Sequence, residues 1–167
     1  MVERRPTLLD RAHQLVYRVG YRVVRQWWRL RRPRTQGAFV CVWCGTRLLV
    51  LQNSYVDYRS FPGGGIDAGE TPLAAACREL REEVGIVMEA SALQHSVTVD
   101  QRLEGKRDTV WVYEVDVEVE PPIIIDHREV IHAAFVEAEE VLQGRLFPPF
   151  RGYIERRLAE VPTRRPA

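Results

Sequence analysis

PGGGIDAGETPLAAACRELREEVGI, residues 62–86, sets three consecutive glycines ahead of a helix whose later turns are crowded with acids. Thr71 is its N-cap, Pro72 takes the first helical position and Gly85 ends it. At 100° per residue, Glu79, Glu82 and Glu83 span about 100° of the circumference. Leu73, Ala76, Cys77, Leu80 and Val84 occupy the adjoining arc and form the stripe that meets the core. The arrangement is costly. Acids near a helix C-terminus face its partial negative charge, and like charges three and four residues apart repel. A divalent cation would turn that repulsion into attraction. Carboxylates at this density suit hard ions such as Mg²⁺ or Mn²⁺. A solvated acidic face is the simpler reading of the acids alone. Gly63, Gly64 and Gly65 weigh against it, because glycines let a ligand approach the backbone closely.

The spacing is more specific than either feature. Gly64, five residues, Glu70, seven residues, Arg78-Glu79-Leu80, one residue, Glu82-Glu83, one residue, Gly85-Ile86 resembles the Nudix box at every specified position. By composition alone, such a match in a chain this long arises with a probability on the order of 10⁻⁷. The resemblance extends over about residues 37–160, with a hairpin before the box, then a strand pair and a short helix after it. It implies an α/β/α sandwich with a mixed β-sheet. It also implies Mg²⁺- or Mn²⁺-dependent hydrolysis of a diphosphate bond, in a nucleoside diphosphate linked to another moiety X or in a nucleoside triphosphate. By the same resemblance Glu79, Glu82 and Glu83 are metal ligands and the backbone of Gly64 or its neighbour contributes a further oxygen. Arg78 and Glu70 brace the site. One of the acids, or a loop acid, is the general base, and Glu129 is the candidate from outside the box. Gly63, Gly64 and Gly65 would contact substrate, with Tyr55, Tyr58 and Phe61 available to stack on a flat group. A catalytically idle nucleotide sensor is the alternative, and a hydrolase of a lipid-linked diphosphate is another.

The rest of the chain fits one soluble catalytic domain. Strands are expected at GAFVCVW and RLLVLQ around the turn at Cys44-Gly45-Thr46, with residues 53–70 as loop. Further strands are expected at LQHSVTVDQ, DTVWVYEVDVEV and HAAFVEA, and helices at EAEEVLQ and FPPFRGYIERRLAEV. The three cysteines form no disulfide framework, and Cys41 and Cys44 lack the second ligand pair of a zinc site. A reducing, cytoplasmic setting follows.

Residues 1–36 read as a basic extension and linker ahead of a domain at 37–167. Leu8, Leu9, Ala12, Leu15, Val16, Val19, Val23, Val24 and Trp27 form a helical stripe, and Arg11, Arg18, Arg22, Arg25 and Arg29 fall mainly on the other side. Thr7 is the expected N-cap and Pro33 the stop, after which RRPRTQG reads as linker. No acid occurs from Arg11 through Val56. The stripe is expected to dock on the enzyme or on a second copy in a homodimer. The other option is an anionic membrane surface, which would make the protein peripheral to the inner face of the membrane. Nucleic acid fits poorly, because the apolar stripe is too continuous.

Overall fold

The computed structural model describes residues 7–160, so the outer ends of the expected 1–36 and 37–167 segments lie outside the described residues. Helix α1 (Leu8–Arg31) comes first. Strands β1 (Arg34–Cys44), β2 (Arg47–Asn53), β3 (Arg59–Ser60) and β4 (Gly63–Gly65) follow. Next are α2 (Pro72–Val84), β5 (Gln94–Leu103), β6 (Lys106–Asp116) and β7 (Val130–Glu137), then α3 (Ala138–Gln143) and α4 (Pro148–Glu160).

All seven strands form one mixed sheet, with the path β3-β2-β1-β6-β5; β4 adds to β1 and β7 to β2. β1 is central and runs parallel to β6 from Arg34↔Arg107 to Trp43↔Asp116. Its side chains alternate between two buried layers, as a strand covered on both faces must. Ala38, Val40 and Val42 pack with Ala76, Leu80 and Val84 of α2 on one face. Cys41 and Trp43 pack with Phe150, Tyr153 and Ile154 of α4 on the other. The result is an α/β/α sandwich with an additional N-terminal helix, as expected.

Two local expectations are corrected. The segment taken as linker is strand from Arg34 onward, because its backbone finds partners along β6. The glycines taken as loop form β4, antiparallel to β1 through Gly37↔Gly65, Ala38↔Gly64 and Phe39↔Gly63. Neither segment has a side-chain alternation that announces a strand, so only non-local pairing defines them.

A third correction concerns α1. Its ends are as expected: Thr7 and Asp10 form a reciprocal capping box, and Arg32 closes the helix in the left-handed region. The side it turns to the domain is the opposite of the expected one. Asp10, Gln14, Tyr17, Arg18, Tyr21 and Trp28 face inward. Gln14 Nε2 donates to His127 O at 2.8 Å and Arg18 Nε to Ser54 O at 2.8 Å. Tyr21 Oη donates to Glu104 at 2.5 Å, and its ring lies 4.9 Å from that of Tyr55. The Lys106 ammonium sits 4.3 Å over the Trp28 ring. The apolar stripe is therefore not docked on the enzyme; Leu8 is 83% exposed and Val16 70%.

Candidate active site

The site starts from the caps of α2. Thr71 Oγ1 accepts from Ala74 N, and Gly85, at φ 71°, donates to Arg81 O. The helix so delimited buries Ala75, Ala76, Leu80 and Val84 against the sheet. Their burial fixes the rotation of the helix and aims the acids at β4.

Glu83 Oε2 accepts from Gly63 N at 2.8 Å. The contact joins the acidic row to the glycine strand directly. Gly63 has φ 153°, and a Cβ there would meet Ala38 O at 2.4 Å. A Cβ on Gly64 would stand 2.5 Å from Glu79 Oε1. Glycine is thus required at Gly63 by its φ and the neighbouring backbone, while at Gly64 a side chain would displace the Glu79 carboxylate.

Arg78 organises the rest. Its Nε and one terminal nitrogen donate to the two Glu70 oxygens, each at 3.0 Å. The same terminal nitrogen donates to Gly65 O at 3.0 Å. The other reaches Glu79 Oε1 at 2.7 Å and Glu82 Oε2 at 3.4 Å. Glu70 also accepts from Asp67 N, closing the loop between β4 and α2. The two-pronged Arg78–Glu70 pair is a strong, directional contact. It ties strand, loop and helix together, as expected for these residues. The interaction with Arg78 holds the Glu70 carboxyl below its usual range.

The acids experience different fields. Burial raises the Glu79 pKa against the opposing pull of Arg78, and the Glu82 and Glu129 charges add to the rise. Burial raises Glu83 well above the usual carboxylate value; the Gly63 N–H opposes this, and Glu79 and Glu129 reinforce it. Glu82 is half exposed. Glu129, expected from outside the box, is brought to the same acids by β7. Tyr55 Oη donates to its Oε1 at 2.8 Å, and Asn53 Nδ2 donates to Tyr55 Oη at 3.1 Å. Ser54 N donates to the Glu129 carbonyl at 2.8 Å, pinning the start of β7 to the end of β2.

A hard divalent cation is the group this donor set suits. Its oxygens are carboxylates, and Asn53 Oδ1 is a buried acceptor without a donor among the described residues. Among the described residues, no three acidic, histidine or cysteine side chains converge on one point at ligand distance. The reason is visible in the contacts: Arg78 holds Glu79 and Glu82, and Gly63 holds Glu83.

A cleft of about 660 Å³ borders the site. Tyr21, Trp28, Tyr58, Lys106 and Phe147 line it, together with all three glycines of β4 and with Asn53 and Tyr55. None of Glu79, Glu82, Glu83 and Glu129 lines it. The glycine strand and the Asn53–Tyr55 turn are shared between acids and cleft. Tyr58 lines the cleft, stacked at 5.5 Å on Phe147. Phe61, also expected to contact substrate, does not line it: it is 1% exposed and lies 4.5 Å from the Phe150 ring, so it belongs to the core. Tyr55 turns its hydroxyl to Glu129.

Tyr21, Trp28 and Asn53 were missed as cleft residues. A signal for the first two exists: at 100° per residue Tyr17, Tyr21 and Trp28 fall on one narrow line, opposite the aliphatic stripe.

The model of the NUDIX domain matches residues 33–157. An RNA pyrophosphohydrolase of Rhizobium meliloti is 54% identical over 48 residues, 27% of this chain and 29% of that protein. An 8-oxo-dGTP diphosphatase of Haemophilus influenzae is 70% identical over 27 residues, 16% of this chain and 20% of that protein. The chain thus aligns with less than a third of each of these two relatives. The E. coli dihydroneopterin triphosphate pyrophosphohydrolase superposes with a TM-score of 0.65 at 22% identity, covering 75% of this chain and 96% of that one. That likeness establishes the fold.

Proposed function

The chain belongs to the Nudix hydrolase family, and from that premise we propose that it cleaves a diphosphate linkage with a Mg²⁺ or Mn²⁺ cofactor. The linkage lies in a nucleoside diphosphate joined to another moiety X, or in a nucleoside triphosphate. The products are a nucleoside monophosphate and a phosphorylated remainder, or pyrophosphate. One observation carries the reading: Glu83 accepts a hydrogen bond from the backbone of the glycine strand, and the next glycine lies directly against the Glu79 carboxylate.

Phosphoryl transfer needs alignment and charge neutralisation more than covalent help from the protein. Glu79, Glu82 and Glu83, with the Gly64 carbonyl, would hold the cation. When bound, it supplies neutralising charge at the phosphates and acidifies a water molecule. Arg78 orients Glu79 and Glu82. Glu83 and Glu129 are the groups suited to accept a proton from the attacking water; burial raises the Glu83 carboxyl, and Tyr55 orients Glu129. Gly63, Gly64 and Gly65 offer backbone to the diphosphate. Tyr21, Trp28 and Tyr58 offer ring faces to the remainder of the substrate.

A second reading, hydrolysis of a lipid-linked diphosphate, draws on α1, whose inward rings line the cleft while its outward face is apolar. The test for both is a turnover screen with Mg²⁺ or Mn²⁺. It covers nucleoside triphosphates, nucleotide sugars, ADP-ribose, dinucleoside polyphosphates and CDP-alcohols. Release of a nucleoside monophosphate from at least one soluble nucleotide is expected. Turnover of a lipid-bearing diphosphate such as CDP-diacylglycerol, with none of the soluble nucleotides, would favour the second reading, and no turnover of any would favour a nucleotide sensor.

A further inference from the structure

The outward face of α1 has no role in the chemistry above. Leu8, Leu9, Leu15, Val16, Val19, Val23, Trp27 and Leu30 stand on it, each at least half exposed. At 100° per residue they cover an arc of about 120° along the whole helix, whose 24 residues span about 36 Å. A face this long and apolar is rare on a monomer unless something covers it. Among the described residues no helix is long and apolar enough to cross a membrane.

Charge identifies the occupant. Arg11, Arg22 and Arg29 are exposed along one border of the face, and Arg31 and Arg32 at its end. Asp10 is the only acid of the helix, and it is buried. Beside the end of α1, Arg102, Arg107 and Arg34 stand in register on neighbouring strands, all exposed, an arrangement in which like charges repel. A second copy packed face to face on this helix would bring arginine rims together with no exposed helix acid to receive them. An anionic surface satisfies both the apolar face and the rim.

We propose that α1 lies on an anionic phospholipid bilayer, its outward face in the headgroup and acyl boundary and its arginines on the lipid phosphates. The neighbouring tryptophans divide the roles. Trp27 is half exposed on the apolar face and enters the interface. Trp28 points inward, under Lys106 and beside the cleft. Bilayer binding therefore places one wall of the cleft within about one helix diameter of the lipid.

The test uses the full chain and vesicles of phosphatidylglycerol mixed with phosphatidylcholine, with pure phosphatidylcholine vesicles for comparison. Co-sedimentation with the anionic vesicles is expected, weakening as NaCl is raised. The variant L15E/V19E/V23E, which changes exposed positions only, is expected to lose binding at least tenfold while keeping the wild-type melting temperature. A vesicle-induced blue shift of tryptophan emission is expected to vanish in Trp27→Phe and persist in Trp28→Phe. Absence of binding to anionic vesicles overturns the proposal. So does undiminished binding of the triple variant, or a blue shift that survives Trp27→Phe. A dimer in the absence of lipid that the triple variant abolishes would assign the face to a second copy instead.

Discussion

Helices α1 and α2 are both amphipathic, and they sit on the domain in opposite senses. α2 buries its aliphatic stripe and turns its acids to the glycine strand. α1 turns rings and polar groups inward and leaves its aliphatic stripe outside. Hydrophobic periodicity identifies a helix and its two faces. It does not say which face meets the protein. On α2 the stripe wins because the sheet beneath it presents Ala38, Val40, Val42, Leu49 and Leu51. On α1 the underlying surface offers Ser54 O, His127 O, Glu104 and the Tyr55 ring, which match the polar and aromatic face.

The contrast can be broken most severely at the acids. Glu82→Gln or Glu83→Gln is expected to remove a cation ligand worth several kcal/mol in the transition state, so that kcat falls by about a thousandfold. Steady-state kinetics at saturating Mg²⁺ measure this. The apolar stripe of α2 comes next. Leu80→Ala is expected to destabilise the protein by about 2–5 kcal/mol in urea melts, because Leu80 is fully buried. Arg78→Lys keeps a charge but loses the two-pronged contact with Glu70. A loss of about 10–100-fold in kcat/KM is expected with the fold intact.

A smaller effect lies in the pH dependence of the metal-free protein. Burial raises Glu83 and Glu79, so folding favours their protonated forms. The sign follows: their contribution is fully present below the ordinary carboxylate pKa and is lost as pH rises through the raised values. In EDTA the melting temperature is expected to fall over that window. Glu83→Gln is expected to flatten the decline and melt higher at neutral pH. Glu70 acts in the opposite direction, and its contribution is lost as pH falls through its lowered pKa. The smallest effect is on α1: Leu15→Ala, on the outward face, is expected to change stability by less than about 0.5 kcal/mol. A cost as large as that of Leu80→Ala would mean that the face is covered within the folded chain.

What could be read from the chain follows the range of the forces involved. The ends of α1 and α2 are local, set by Thr7, Thr71, Pro72 and Gly85, and all four act as expected. The acids, the Arg78–Glu70 brace and the fold class were carried by one spaced motif. The strand character of Gly63–Gly65 and of Arg34–Gln36 depends on pairing with residues far along the chain, and no local pattern encodes it. Phe61 and Tyr58 are three residues apart in one aromatic-rich segment. Only the packing of α4 puts the first in the core and leaves the second at the cleft. Glu129 was legible as a loop acid ahead of a strand, but its Tyr55 partner, 74 positions away, was not.

The central claim is that the acids of α2 and the glycine strand form one metal-dependent diphosphate-cleaving site. It is tested most directly by measuring turnover of a soluble nucleotide substrate, with Mg²⁺ and with EDTA, for the wild type, Glu82→Gln and Glu83→Gln. Activity that EDTA abolishes is expected in the wild type, and near-complete loss in both variants, each folded by circular dichroism. Undiminished turnover in both variants would contradict it.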